Sequence, residues 1–157
     1  RARLNASHEW QFMLHDVQRT LMVVMSHVAT PSSMRHLNPN VLPDDLSAQC
    51  ESWIDAMTLL MADGEGYFIL PGGTEISALC HQARVAARRA ERRLCTLNKL
   101  DALPAQIMSY INRLSDLFFT MARFDLHLTG ASEERWQAFG YKRKRREDVA
   151  ENRGEGN

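Results

Sequence analysis

The sequence predicts an all-α protein, an up-and-down bundle of about five helices. Apolar residues recur at helical spacing over four long segments, and glycine and proline concentrate between them. No segment shows the strict apolar-polar alternation of a half-buried strand. A chain of 157 residues is long enough for one domain with a substantial core. We assign residues 1–140 to a single bundle domain and 141–157 to a polar, highly charged and disordered tail.

Composition narrows the function classes. Lys+Arg and Asp+Glu both total 19, so the net charge is zero, which argues against a general nucleic-acid binder. The longest apolar run, Leu21–Met25, is far too short to span a bilayer, so we expect no membrane segment. Three cysteines without a C-x-x-C pair predict reduced thiols rather than a disulfide framework or a zinc site.

The first two helices have clear ends in the sequence. One is predicted over about 8–28, where an apolar face begins at Trp10, and Pro31 stops it because the residue before proline disfavours the helical region. A second is predicted over about 46–61, with Asp44 or Asp45 as its N-cap. A loop rich in Pro, Asn and Ser separates them.

Three further helices are predicted in the second half. Thr74 is a suitable N-cap for a helix over about 75–97. Another begins at about 103 or 104, continues to 128 and can end at Gly130. A short fifth helix is predicted near 132–138. The loop before the third helix is glycine-rich with an apolar centre, which indicates burial or ligand contact.

The third helix divides into two faces. Arg84 and Arg88 are one turn apart and can converge on one anion, since the planar guanidinium holds phosphate oxygens bidentately. Glu91 can orient the Arg88 guanidinium or accept a hydrogen bond from a sugar hydroxyl. The other sector is apolar and alanine-rich, which would allow a neighbouring helix to approach closely: Ile76, Leu79, Ala83, Ala86, Ala87, Ala90, Leu94 and Leu97.

The fourth helix also combines an apolar face with a polar stripe. Asn112, Asp116 and Arg123 form the stripe, which indicates a polar site or a partner interface. The apolar face consists of five larger side chains: Ile107, Ile111, Leu114, Phe118 and Met121.

Simpler interpretations stay open for each of these features. An arginine-rich helix face is commonly a solvated surface with ion pairs. Asn112 and Asp116 could form an interhelical hydrogen-bond network, and Phe68 could fill the core. The basic cluster 142–146 could bind nucleic acid, although a solvated tail is the simpler interpretation. No histidine or carboxylate spacing matches a metal site, so we predict no metal ligand from protein side chains.

Several strings of the sequence resemble the PduO-type ATP:cob(I)alamin adenosyltransferases. They occur in the family's order: FILPGGT from Phe68, HQAR from His81, RRAERR from Arg88, YINRLSDLFF from Tyr110, and AR at Ala122. The resemblance covers roughly residues 13–130. It implies a homotrimer of five-helix bundles with active sites between subunits, which transfers the 5′-deoxyadenosyl group of ATP to cob(I)alamin and releases triphosphate.

The resemblance also assigns residues and partners. It implies that ATP, with Mg²⁺, is bound by Arg88, Arg89, Glu91, Arg92 and Asn112. It assigns cobalamin to Phe68, which would fill the lower axial face, to Arg84, which would pair with an Asp of the next subunit, and to Asp116, which would orient Asn112 or an arginine. A cob(II)alamin reductase and a cobalamin-dependent enzyme are the implied partners. Relatives function in bacterial cytoplasm or the mitochondrial matrix.

Two family motifs are missing from the sequence. The Gly- and Thr-rich segment T-x-x-G-D-x-G-x-T is absent, and of the motif Asp-Glu-Leu-Asn only Leu4 and Asn5 match. We expect that a longer protein contains this segment before Arg1, which is not a natural start residue. The alternative is impaired ATP binding, in which case the chain would be a non-catalytic bundle that binds and delivers corrinoid.

Overall fold

The computed structural model describes residues 2–61 and 68–136. These residues form four α-helices, one 3₁₀-helix and two short antiparallel strands: α1 (Ala2–Ala29), the 3₁₀-helix (Ser32–Leu37), α2 (Ala48–Met61), β1 (Phe68–Ile69), α3 (Glu75–Asn98), α4 (Ala105–Thr129) and β2 (Arg135–Trp136). The predicted all-α class is confirmed. Among the described helices, none combines the length and apolar character required to cross a membrane.

Helix α4 forms the centre of the fold. It packs most extensively against α3 and then against α2. Met13, Val17 and Val24 of α1 contribute to the same core. The apolar face predicted for this helix is confirmed, because four of its five members are almost fully buried and the fifth packs against them: Ile107, Ile111, Leu114, Met121 and the partly buried Phe118.

Helix α3 presents its more polar side to the core. Ser77, Cys80, His81 and Ala87 are buried there. Much of the apolar sector of α3 is exposed, and Leu79 keeps 54% of its surface accessible to solvent. Other exposed members of this sector are Ile76, Ala86 and Ala90. An apolar helix face left in contact with water is typical of a surface that binds another chain.

The predicted ends of α3 and α4 are confirmed. The Thr74 side chain accepts a hydrogen bond from the Ser77 N–H at 3.0 Å and so caps α3. Gly130 ends α4 in the left-handed conformation with φ of 68°. The N–H of Ala131 then donates to the carbonyl of Leu126 at 3.0 Å, which satisfies one of the last free carbonyls of the helix.

The region after α4 differs from the prediction. The helix expected near 132–138 is wrong for residues 132–136, because Arg135 and Trp136 pair with Ile69 and Phe68 as an antiparallel ribbon, β1–β2. Two residues per strand are too few for an alternation to be visible in the sequence. Residues 137–138, the tail 141–157 and its basic cluster lie outside the described part of the chain.

Arg35, in the 3₁₀-helix, connects the end of α1 with the turn between α3 and α4. Its guanidinium donates to the carbonyls of His27 and Thr30 at 3.1 and 3.0 Å and to Asp101 at 3.3 Å. The same carboxylate accepts the Ser32 N–H. Hydrogen bonds from Ser32 and the charge of Arg35 lower the pKa of Asp101. The C-terminal end of α1 is thereby attached to the α3–α4 turn.

The loop before α3 lies directly on α4. Gly73 has φ of 92°, and a Cβ atom there would come within 2.6 Å of Leu126 Cδ2. At the next position, the Thr74 hydroxyl donates a hydrogen bond to the buried carboxylate of Asp125. Two consecutive loop residues thus lie against two consecutive residues of α4, which attaches the start of α3 to the last turns of α4.

We predict that Gly73→Ala lowers the free energy of unfolding by about 2–4 kcal/mol, because strained backbone and overpacking both contribute. Gly130→Ala is the matched control. It also has positive φ, but a Cβ there meets nothing within 4 Å. It should cost only about 1 kcal/mol, the backbone part alone. Chemical denaturation measures both variants, and equal losses would show that the Leu126 contact is unimportant.

Candidate active site

The middle of α3 and the middle of α4 meet through a polar pair. Asn112 Nδ2 donates a hydrogen bond to Glu91 Oε1 at 2.8 Å. This bond orients the Asn112 amide so that its carbonyl oxygen points away from Glu91. The two residues were predicted separately, and the structure brings them together. Their remaining acceptor oxygens can receive hydrogen bonds from a ligand with hydroxyl or amino groups.

Three arginines lie on the exposed part of α3 beside this pair: Arg88, Arg89 and Arg92. Within residues 2–61 and 68–136, no carboxylate forms an ion pair with any of them. The internal ion pairs that the simpler interpretation expects on this face are therefore not present among the described residues. Several guanidinium groups on one helix face favour anions, and phosphate oxygens suit their geometry.

Arg84 stacks on an aromatic ring of α4. Its Cζ atom lies 4.8 Å from the centroid of the Phe119 ring, within the range of a cation–π contact. His81 contacts the same ring edge-on, with centroids 6.2 Å apart. His81 is buried, and neither of its ring nitrogens has a hydrogen-bond partner in the described part of the chain. Burial, and then the charge of Arg84, lower the pKa of His81.

Asp116 orients an arginine rather than Asn112. Its carboxylate accepts from Arg113 at 3.2 Å, and Arg113 also donates to Glu51 of α2 at 3.2 Å. The i,i+3 spacing of Arg113 and Asp116 was visible in the sequence, although Arg113 was not among the predicted site residues. Glu51 could not be anticipated, because it lies 62 residues earlier.

Phe68 stands on the surface of the ribbon. It is 76% exposed, so the interpretation that it fills the core is wrong. Its partner across the ribbon is Trp136, which is also half-exposed. Directly paired residues of antiparallel strands point to the same side. The Leu70 N–H extends the pairing by donating to the Glu134 carbonyl at 2.8 Å.

Arg123 holds the segment before β2 against α4. Its Nε donates to Glu133 Oε1 at 2.6 Å and its Nη2 to Oε2 at 3.2 Å, a bidentate pair with side chains only 15% and 13% exposed. The sequence suggested a common stripe with Asn112 and Asp116, whereas the structure pairs this arginine with Glu133. Its Cζ also lies 6.0 Å from the Phe119 centroid.

Comparisons with known proteins show which family the chain belongs to. The sequence profile of the family described as cobalamin adenosyltransferase matches residues 1–125. The chain belongs to the cobalamin adenosyltransferase family. It is 37% identical over 130 residues to the human corrinoid adenosyltransferase MMAB and 35% identical to the mouse protein, with 81% of this chain covered in both cases.

A solved structure of the same family is also similar. It is a variant PduO-type ATP:corrinoid adenosyltransferase from Lactobacillus reuteri, complexed with cobalamin and ATP. The TM-score is 0.74 at 28% identity, over 80% of this chain and 68% of that one. The chain spans about half the length of the human and mouse relatives, 52% and 54%. All the site residues described above, except those of the segment around β2, lie within the family match.

We predict that His81 makes stability depend on pH. Because the folded pKa lies below the ordinary 6.5, the unfolded chain takes up the proton first, and the free energy of unfolding falls as pH falls below about 6.5. His81→Phe keeps an aromatic ring against Phe119 and should flatten this dependence between pH 7.5 and 5.5. His36→Gln, which changes an exposed imidazole, is the control. Urea titrations at several pH values measure the free energy of unfolding. If it depends on pH as steeply in His81→Phe as in wild type, His81 is not the group responsible.

Proposed function

We propose that the protein transfers the 5′-deoxyadenosyl group of ATP to cob(I)alamin and releases triphosphate. The observation that carries the proposal is the Glu91–Asn112 pair beside three arginines without ion-pair partners among the described residues. Membership of the cobalamin adenosyltransferase family supports the same reaction. The Lactobacillus reuteri relative, which binds both cobalamin and ATP, supports the choice of substrates.

The nucleotide end of the proposed site lies along the middle of α3. Arg88, Arg89 and Arg92 bind the triphosphate, whose charge they compensate. Asn112, held by Glu91, presents its carbonyl oxygen to the nucleoside. Mg²⁺ enters with ATP, whose phosphate oxygens coordinate it. Within the described residues no group of three or more His, Cys, Asp or Glu could hold a metal ion, so the proposal places Mg²⁺ on the substrate.

The corrinoid end lies towards the ribbon. Phe68 offers an exposed aromatic ring to the lower face of the corrin, where an apolar surface disfavours a water ligand on cobalt. Arg84, stacked on Phe119, supports corrinoid binding. It has no ion-pair partner among the described residues, which is compatible with a carboxylate from a second subunit. Asp116 contributes by holding Arg113.

The reaction needs no protein nucleophile. The Co(I) electron pair attacks C5′ of ATP, the Co–C bond forms, and the C5′–O bond breaks as its electrons leave with triphosphate. The protein aligns cobalt, C5′ and the leaving oxygen, and its arginines stabilise the charge that develops on the triphosphate. Cys50 and Cys80 are unsuited to nucleophilic chemistry, because burial raises the pKa of both thiols to about 11.

We further propose that the protein is a homotrimer with sites between subunits. The exposed apolar sector of α3 supports this, since Ile76 and Leu79 together with two alanines form a smooth surface for a helix of another copy. Exposed Phe12, Met22 and Met25 of α1 offer a second apolar area. The partners proposed outside the trimer are a cob(II)alamin reductase and a cobalamin-dependent enzyme, in bacterial cytoplasm or the mitochondrial matrix.

The deciding experiment uses the full-length protein. Cob(II)alamin is reduced chemically, ATP and Mg²⁺ are added, and adenosylcobalamin is followed by its absorption spectrum while triphosphate is measured separately. Equal amounts of the two products support the proposal. Tight corrinoid binding without turnover would instead indicate a bundle that only carries and delivers corrinoid. Absence of both would exclude the two functions.

We predict that Arg88→Ala reduces kcat/KM for ATP by about 100-fold, the range for loss of a charge-assisted contact to the leaving group. The KM for cob(I)alamin should stay nearly unchanged. Arg93→Ala is the matched control, since it removes an exposed arginine of α3 that is not assigned to the site. Steady-state kinetics compare the two variants. Wild-type kinetics of Arg88→Ala would place the triphosphate elsewhere.

We predict that Leu79→Glu dissociates the trimer, because a carboxylate would be buried against apolar groups of the neighbouring copy. Light scattering after size-exclusion chromatography should give the mass of a monomer or dimer. Leu100→Glu is the control, since Leu100 is 84% exposed in the α3–α4 turn and lies outside the apolar sector of α3. A trimeric Leu79→Glu protein would exclude this sector from the interface.

A further inference from the structure

We propose that Arg123 is a positioning residue that couples the two sides of the corrinoid site, Phe68 on the ribbon and Arg84 on α3. This inference rests on the proposed function, and it concerns a residue that contacts neither substrate in that proposal. Arg123 is suited to the task because a single guanidinium takes part in two contacts at once: an ion pair with Glu133 and a ring contact with Phe119.

The first arm leads from Arg123 to Phe68. The bidentate ion pair attaches Glu133 to α4. The carbonyl of the next residue, Glu134, accepts the Leu70 N–H at 2.8 Å, and the strand pairing follows directly. Phe68 itself is exposed, so packing beneath its ring contributes little to its position. The backbone of the ribbon, attached to α4 through Glu133, therefore decides where the ring stands.

The second arm leads from Arg123 to Arg84. Both guanidinium groups lie over the Phe119 ring, at 6.0 and 4.8 Å from its centroid. The His81 ring contacts the edge of the same phenyl group and restricts its rotation. Moving Arg123 would change the surroundings of Phe119 and so the position of the Arg84 guanidinium. Both residues proposed for corrinoid binding thus depend on one side chain of α4.

A lysine could not replace this arginine. The two hydrogen bonds to Glu133 need the planar fork of a guanidinium, and the stacking contact needs its flat face. The pair is also largely shielded from water, so each bond is stronger than that of an exposed ion pair. The effect of Arg123→Lys should therefore exceed that of a conservative exchange at an exposed position.

The test of the first arm is a double-mutant cycle with Phe68→Ala and Glu133→Gln in the full-length protein. Glu133→Gln alone should raise the KM for cob(I)alamin about ten-fold, as expected for a lost charge-assisted bond, and leave the KM for ATP within about two-fold. In the Phe68→Ala background the same change should add less than about two-fold, because its effect passes through the absent ring. Independent, multiplicative effects would overturn the proposal.

The second arm is tested by exchanging the charges. In Arg123→Glu combined with Glu133→Arg, the ion pair to the ribbon can form again, while the cation over Phe119 is lost from α4. This variant should recover part of the activity lost in Arg123→Glu, and its KM for cob(I)alamin should stay about ten-fold above that of wild type. Full recovery would show that the Phe119 contact has no role.

Asp101→Asn is the matched control for general loss of stability. It breaks another partly shielded arginine pair, with Arg35, at the opposite end of the α3–α4 pair. Both KM values should stay within about two-fold of wild type, and its effect should be independent of Phe68→Ala. A ten-fold increase in KM for cob(I)alamin in this variant would attribute the Glu133 effect to destabilisation.

Amide hydrogen exchange separates this inference from the proposed function. In Glu133→Gln the Leu70 amide should lose protection at least about ten-fold, while the Ser77 amide at the α3 cap keeps it. Unchanged Leu70 protection would overturn the inference whether or not the enzyme turns over. A wild-type protein that forms no adenosylcobalamin would overturn the proposed function, even if Leu70 behaves as expected.

Discussion

Burial of α4 is the constraint on which the other elements depend. This helix packs against α3 and α2, buried residues of α1 belong to the same core, and its apolar face is almost free of solvent contact. A buried polar group of α4 must then find a partner, and buried Asp125 accepts the hydroxyl of Thr74, just before α3. At the exposed edge of the same helix pair, Asn112 bonds to Glu91. The packing of α3 on α4 thus brings polar groups of the candidate site together along one interhelical seam.

Periodicity predicted this helix well and its neighbour poorly, for a physical reason. The apolar residues of α4 are large and form one continuous face, so only one orientation of the helix buries them all. In α3 half of the apolar sector is alanine, which gains little from burial, and small Ser77 and Cys80 fit against α4 equally well. Part of the side that looked like a core face, including Ile76 and Leu79, is consequently exposed.

The individual residues of the candidate site could be proposed from the sequence, whereas their pairings could not. Arg84, Arg88, Glu91 and Asn112 lie in strings that resemble a known family, and helical spacing gave them plausible neighbours. The partners that orient the rest come from distant segments. Glu51 reaches Arg113 from α2, and Glu133 reaches Arg123 from a segment expected to be helical. A two-stranded ribbon of four residues is too short for an apolar-polar alternation in the sequence, so the exposure of Phe68 could not be predicted from it.

The contact between the loop before α3 and the end of α4 has a consequence for the family's evolution. Gly73 faces Leu126, and Thr74 faces Asp125. In a relative that acquires a side chain at the first position, the residue opposite it must shift or be shorter. One that loses the hydroxyl at the second position leaves a buried carboxylate without its donor. Positions 73 and 74 should thus vary together with 126 and 125, and a chimera that exchanges only one of the two segments should fold poorly.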